Sequence, residues 1–109
     1  MSKADIGLIG LAVMGENLAL NIANNGFSIA VYNRTTEKVK KFIESKGSSR
    51  KILGTYSIKE LIDSLEPPRC IIMMVKAGRA VDEVIDQIKP HLSRGDILVD
   101  GFIRGDRHR

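Results

Sequence analysis

The sequence predicts an α/β protein built on a doubly wound parallel sheet, and three observations carry that prediction. Short apolar runs of strand character alternate with helix-spaced apolar stripes along the whole chain. The connections between them are short. The first run passes through a turn of small residues, Gly10-Leu11-Ala12-Val13-Met14-Gly15, directly into a helical pattern. Strands alternating with helices over short links imply parallel strands joined by crossover connections. At 109 residues one domain is expected, smaller than a complete six-stranded sheet of this kind. The expectation is therefore a truncated version of the fold.

Each element has its own signal. After the strand at 6–9, a helix is expected over 14–25, with Met14, Leu18 and Ile22 on one face and Gly26 as its stop. Residues 27–32 are mostly apolar, as suits a strand covered on both faces. Asn33-Arg34-Thr35-Thr36 is a loop, and either Thr can cap the helix that follows. That helix carries Val39, Phe42 and Ile43 on one side and Lys38, Lys40 and Lys41 on a solvated side. Ile52-Leu53 reads as a short strand. Ser57 and Glu60 have capping-box spacing, ahead of a helix with the stripe Ile58, Leu61, Ile62, Leu65 that Pro67-Pro68 ends. Residues 70–75 form another buried strand, with Cys70 as a small buried hydrophobe. Val81, Val84, Ile85 and Ile88 mark a helix stopped by Pro90, and residues 97–99 the last strand.

Composition narrows the function classes. The chain is 43% apolar and 28% charged, ordinary for a soluble globular protein. No apolar run approaches the ~20 residues needed to span a bilayer, and no secretory signal opens the chain, so a cytoplasmic location is expected. Net charge is +4, and the last six residues supply about half of it. The remaining charges are interspersed, which argues against a nucleic-acid footprint. A single cysteine rules out an intrachain disulfide and a zinc cluster, and no metal site is expected.

The chemistry is expected at the carboxyl ends of the strands. Gly10, Ala12 and Gly15 occupy the three fixed places of the G-x-G-x-x-G dinucleotide fingerprint, with Ala at the middle. The first permits a sharp turn, the second lets backbone amides approach a pyrophosphate, and the third lets the helix pack close to the strand. The helix start then offers free amides and the positive end of its dipole to phosphate. The second strand exit selects the coenzyme. An NAD site places Asp or Glu there for the ribose hydroxyls; this chain has Asn33, followed by Arg34 and Thr35. Asn does not repel a 2′-phosphate, Arg34 can pair with it, and Thr35 adds a hydroxyl. NADP is therefore the expected coenzyme. At the exit of the 70–75 strand, Lys76 reads either as an anion contact or as a solvated residue in a tight turn. His91 and His108 read as surface and terminal residues without a catalytic role.

Gly-Leu-Ile-Gly-Leu-Ala-Val-Met-Gly, Val-Tyr-Asn-Arg-Thr and Met-Val-Lys-Ala-Gly together closely resemble the 6-phosphogluconate dehydrogenases, from Ile6 to about Gly101. The resemblance implies a Rossmann-like domain over residues 1–103 and a basic, disordered tail over 104–109. It implies that Gly10, Leu11, Ala12, Val13, Met14 and Gly15 form the pyrophosphate turn. Asn33, Arg34 and Thr35 would hold the 2′-phosphate, and Val75, Lys76 and Ala77 would line the coenzyme pocket. The family oxidises 6-phosphogluconate with NADP and decarboxylates the product to ribulose 5-phosphate, in the pentose phosphate pathway, as a homodimer. The sequence departs from the family after Gly101, where Phe102-Ile103-Arg104 replaces a Gly-Asn-Ser pattern whose Asn contacts coenzyme and substrate. No catalytic residue is expected in this chain, since the family's general base and acid would lie beyond it, and activity of the chain alone is not expected. Two other readings stay open: a non-catalytic nucleotide-binding or interaction module, and a different NADP-dependent hydroxyacid dehydrogenase.

Overall fold

The computed structural model describes residues 3–47, 51–74 and 79–100. Among them, five strands form one parallel sheet in the order β3-β2-β1-β4-β5. The strands are β1 (Ile6–Ile9), β2 (Ile29–Tyr32), β3 (Ile52–Gly54), β4 (Cys70–Met73) and β5 (Ile97–Asp100). The helices are α1 (Val13–Asn24), α2 (Thr36–Phe42), α3 (Ile58–Asp63) and α4 (Arg79–Ile88). The expected doubly wound sheet is present, in the order of the first five strands of a dinucleotide-binding fold. Chain order reverses between β1 and β4. That switch point is where ligands bind in open α/β sheets.

Alternation along the strands sorts the interior into two cores, one on each face. Leu8, Ile29 and Val31 pack with Ala19 of α1 and with Val39 and Phe42 of α2. Their neighbours Ile9, Ala30 and Ile71 face the other way, onto Ile58, Leu61 and Ile62 of α3 and Ile88 of α4. Near-continuous apolar strands follow directly, because both faces of a central parallel strand are buried.

Local chemistry sets the ends. Gly26 takes φ +93°, ending α1 where a side chain would be strained. Ser57 Oγ accepts from Glu60 N at 3.0 Å, and Glu60 Oε1 accepts from Tyr56 N at 2.8 Å. The expected capping box is thus present, with its return bond shifted one residue upstream. α4 tightens into a 3₁₀ turn over Lys89–His91, with Pro90 inside it.

Three expectations change. The buried residues of α1 are Gly15 and Ala19, while Met14 is exposed. Close helix–sheet approach needs small residues at the seam, so the large ones move to its flanks. Thr35 occupies the N-cap position of α2, yet its hydroxyl makes no capping bond. Cys70 is half-buried and free, because it opens β4 at the end of the sheet remote from the glycine turn.

Candidate functional site

The glycine turn leaves β1 through Gly10, whose φ of +107° only glycine adopts without strain. Gly10 N donates to Tyr32 O at 2.9 Å, holding the turn to the end of β2. A Cβ on Gly15 would lie 1.9 Å from Gly10 O, so a hydrogen is the largest group this seam accepts. Ala12 caps α1 in an extended conformation and has no side chain with which to bond the first-turn amides. Glu16 N donates to Ala12 O at 2.9 Å, but the amides of Val13 and Met14 meet no acceptor among the described residues. Val13 and Met14 themselves are 75% and 56% exposed, so their side chains leave the helix start open to solvent. Open amides at the positive end of a helix, reached over small residues, fit a phosphate group.

The second strand exit lies against this turn. Asn33 Oδ1 accepts from Leu11 N at 2.8 Å, and Asn33 Nδ2 donates to Thr35 O at 3.1 Å. Arg34 projects into solvent, with Nη1 3.8 Å from Glu83 Oε1 on α4. The side chains of this pair are 89% and 50% exposed, so the contact is weak and easily exchanged for another anion.

Two clefts open on the residues of this site. One, of about 170 Å³, has apolar walls of Ile9, Tyr32, Ile58 and Val84, with Asn33, Arg34, Glu83 and Gln87 completing it. Its apolar walls, polar rim and size suit a flat ring that carries polar edges. The other, of about 330 Å³, is lined by Leu11, Ala12 and Val13 from the turn, with Glu16, Lys38 and Lys41. Glu16 is paired with Lys46 at 3.2 Å. Two ammonium groups beside the helix start make this the basic side of the site. The donor set therefore fits a dinucleotide: an apolar slot, a backbone cradle for phosphate, and a guanidinium with lysines nearby.

The structure brings Gly10 to Gly15 together with Asn33, Arg34 and Thr35 at one end of the sheet. Val75, Lys76 and Ala77 lie outside the described residues, as do Phe102, Ile103 and the segment 104–109. Among the described residues no His, Cys, Asp and Glu cluster could hold a metal ion. No helix in them is long and apolar enough to cross a membrane. Sequence reading missed Tyr32, Glu83, Val84 and Gln87, and assigned Lys38 and Lys41 to solvent alone. The i, i+4 relation of Glu83 to Gln87 was legible, but which helix face meets β1 and β2 depends on the tertiary packing.

Comparison with known proteins shows the family. Residues 5–102 match the family model described as the NAD binding domain of 6-phosphogluconate dehydrogenase. A decarboxylating 6-phosphogluconate dehydrogenase of Candida albicans is 54% identical over 101 residues, 93% of this chain and 20% of that protein. The NADP(+)-dependent, decarboxylating enzyme of Bacillus subtilis is 57% identical over 102 residues, 93% of this chain and 21% of its own length. Among solved structures, Plasmodium falciparum 6-phosphogluconate dehydrogenase, studied with NADP+ and with 6-phosphogluconate, superposes with a TM-score of 0.82 at 48% identity. That match covers 90% of this chain and 21% of the other. The chain thus spans about one fifth of the length of these relatives. With a glycine turn, an Asn-Arg-Thr exit and a family match over nearly its whole length, the chain belongs to the family of the NAD-binding domain of 6-phosphogluconate dehydrogenase.

Proposed function

We infer that this chain is the NADP-binding part of a decarboxylating 6-phosphogluconate dehydrogenase, with residues 1–103 as the coenzyme unit and 104–109 as a basic tail. The observation that carries the reading is the second strand exit. A neutral Asn33 stands where an NAD site has a carboxylate, and the Arg34 guanidinium is exposed beside it. The reaction would be oxidation of 6-phosphogluconate followed by loss of carbon dioxide to give ribulose 5-phosphate, in a cytoplasmic homodimer of the whole enzyme. When bound, NADP supplies the hydride acceptor.

The residues of this chain bind and orient the coenzyme. The amides of Val13 and Met14 would hold the pyrophosphate, with Gly10 and Ala12 leaving room for it. Arg34 and Thr35, with Lys38 behind them, would hold the 2′-phosphate. Ile9, Tyr32 and Val84 would enclose the adenine in the apolar cleft. Val75, Lys76 and Ala77 would line the pocket on the β4 side. No residue of this chain is assigned a proton-transfer role.

Thermal melting with each nucleotide tests the reading. A ligand that binds only the folded state raises the melting temperature by mass action. NADP is expected to raise it at concentrations where NAD has no effect. Equal shifts with both, or none with either, would contradict the assignment.

A further inference from the structure

Asn33 is committed before any ligand arrives. Its amide oxygen accepts from Leu11 N at 2.8 Å and its amide nitrogen donates to Thr35 O at 3.1 Å, a carbonyl that also accepts from Lys38 N at 3.0 Å. The two partners fix which end of the side chain is which, since an N–H needs an acceptor and a carbonyl needs a donor. One side chain therefore ties the glycine turn after β1 to the loop after β2.

The peptide plane between Gly10 and Leu11 is bonded at one end and closely packed at the other. Its carbonyl, on Gly10, lies where a Cβ on Gly15 would come within 1.9 Å. Its N–H, on Leu11, is bound by Asn33. Carbonyl and N–H point in opposite directions across a trans peptide. The Asn33 amide thus holds a plane for which the bare seam at Gly15 leaves room, and that plane leads into the amides that follow it.

We propose that Asn33 is a positioning residue that locks the glycine turn to the Arg34-Thr35 loop, so that it governs the pyrophosphate half of the site as well as the 2′-phosphate half. The inference rests on the coenzyme reading above and goes beyond it. A residue that only touched the 2′-phosphate would leave NAD binding unchanged; the lock does not. Asparagine suits both partners, because it accepts at one end, donates at the other and carries no charge toward a 2′-phosphate. An aspartate would keep the Leu11 bond but present an oxygen to the Thr35 carbonyl.

Two variants and two readouts decide it in this chain. Amide hydrogen exchange at Leu11, followed by NMR without nucleotide, reads the lock. Calorimetric titration with NAD and with NADP reads its consequence. Asn33→Ala is expected to speed Leu11 exchange and to weaken both nucleotides by a similar factor, roughly five- to tenfold. Asn33→Asp is expected to keep Leu11 protected and NAD affinity within about threefold, while NADP falls by more than tenfold. Thermal melting checks that each variant is folded; should Asn33→Ala not fold, Asn33→Leu, which keeps the size and loses both polar ends, takes its place with the same expected outcomes. Loss of NADP with unchanged NAD in Asn33→Ala would overturn the lock and leave a plain 2′-phosphate contact. Unchanged Leu11 exchange in Asn33→Ala, or lost protection in Asn33→Asp, would overturn it whatever the nucleotides do. A wild-type chain that binds neither nucleotide would overturn the coenzyme reading and the affinity claim, while the exchange data would still decide the hydrogen bond.

Discussion

Arg34 and Glu83 set the charge that a 2′-phosphate would meet. Their contact at 3.8 Å between two largely exposed groups costs little to break. Arg34→Ala is expected to weaken NADP by one to two orders of magnitude, as about 1.5–3 kcal/mol for a charged hydrogen bond implies, with NAD within about threefold. Glu83→Gln removes the competing carboxylate. It is expected to tighten NADP about two- to fivefold at low salt, with the gain fading by ~0.5 M salt, in a titration series across ionic strength. Arg34 was legible from its place after an apolar strand. Glu83 was not, because its approach depends on how α4 lies across the sheet. The Asn33–Leu11 bond was hidden for the same reason: it joins residues far apart in sequence that meet only because β1 and β2 are parallel neighbours.

At the scale of elements, the seating of α1 decides whether the cradle forms. Gly15→Ala would put a methyl into Gly10 O, a backbone atom that cannot swing aside. Destabilisation of about 2 kcal/mol or more is expected in urea melts, together with loss of nucleotide binding, because the helix start must back away from the turn. The glycine was legible as a packing residue from the fingerprint alone. That Ala19 joins it while Met14 turns outward was not, since an apolar stripe does not say which of its members sits at the closest approach. The far end of the sheet is held differently. Asp96 accepts from Arg69 N at 2.7 Å and from Ser93 N at 2.8 Å, and meets Arg69 Nη1 at 3.2 Å. Its side chain is fully buried. The backbone bond from Arg69, then that from Ser93, and after them the Arg69 guanidinium hold its carboxyl below the ordinary aspartate value. A depressed folded-state value means that the charged form stabilises the fold above the unfolded value of about 3.9, and that this stability is lost as pH falls below it. Urea melts from pH 6 to pH 3 are expected to show that loss. Asp96→Asn is expected to flatten the slope and to cost about 1.5–3 kcal/mol at neutral pH.

For the whole molecule, strand order places the assigned groups among the described residues at one end. Parallel strands bring their carboxyl ends together, so the turn after β1 and the loop after β2 must be neighbours once β1 and β2 pair. Alternation of strands and helices, short links and apolar strands made this much legible before any coordinates. The division into two cores followed from the same pattern. What stayed hidden was the pair of clefts, one at Asn33 and one at the glycine turn, since cleft shape comes from helices meeting across the sheet and not from any one segment. The sharpest check on the coenzyme assignment is calorimetric titration of the wild-type chain with NADP and with NAD at fixed salt. NADP is expected to bind at least tenfold more tightly than NAD; equal affinities, or a preference for NAD, would overturn the assignment.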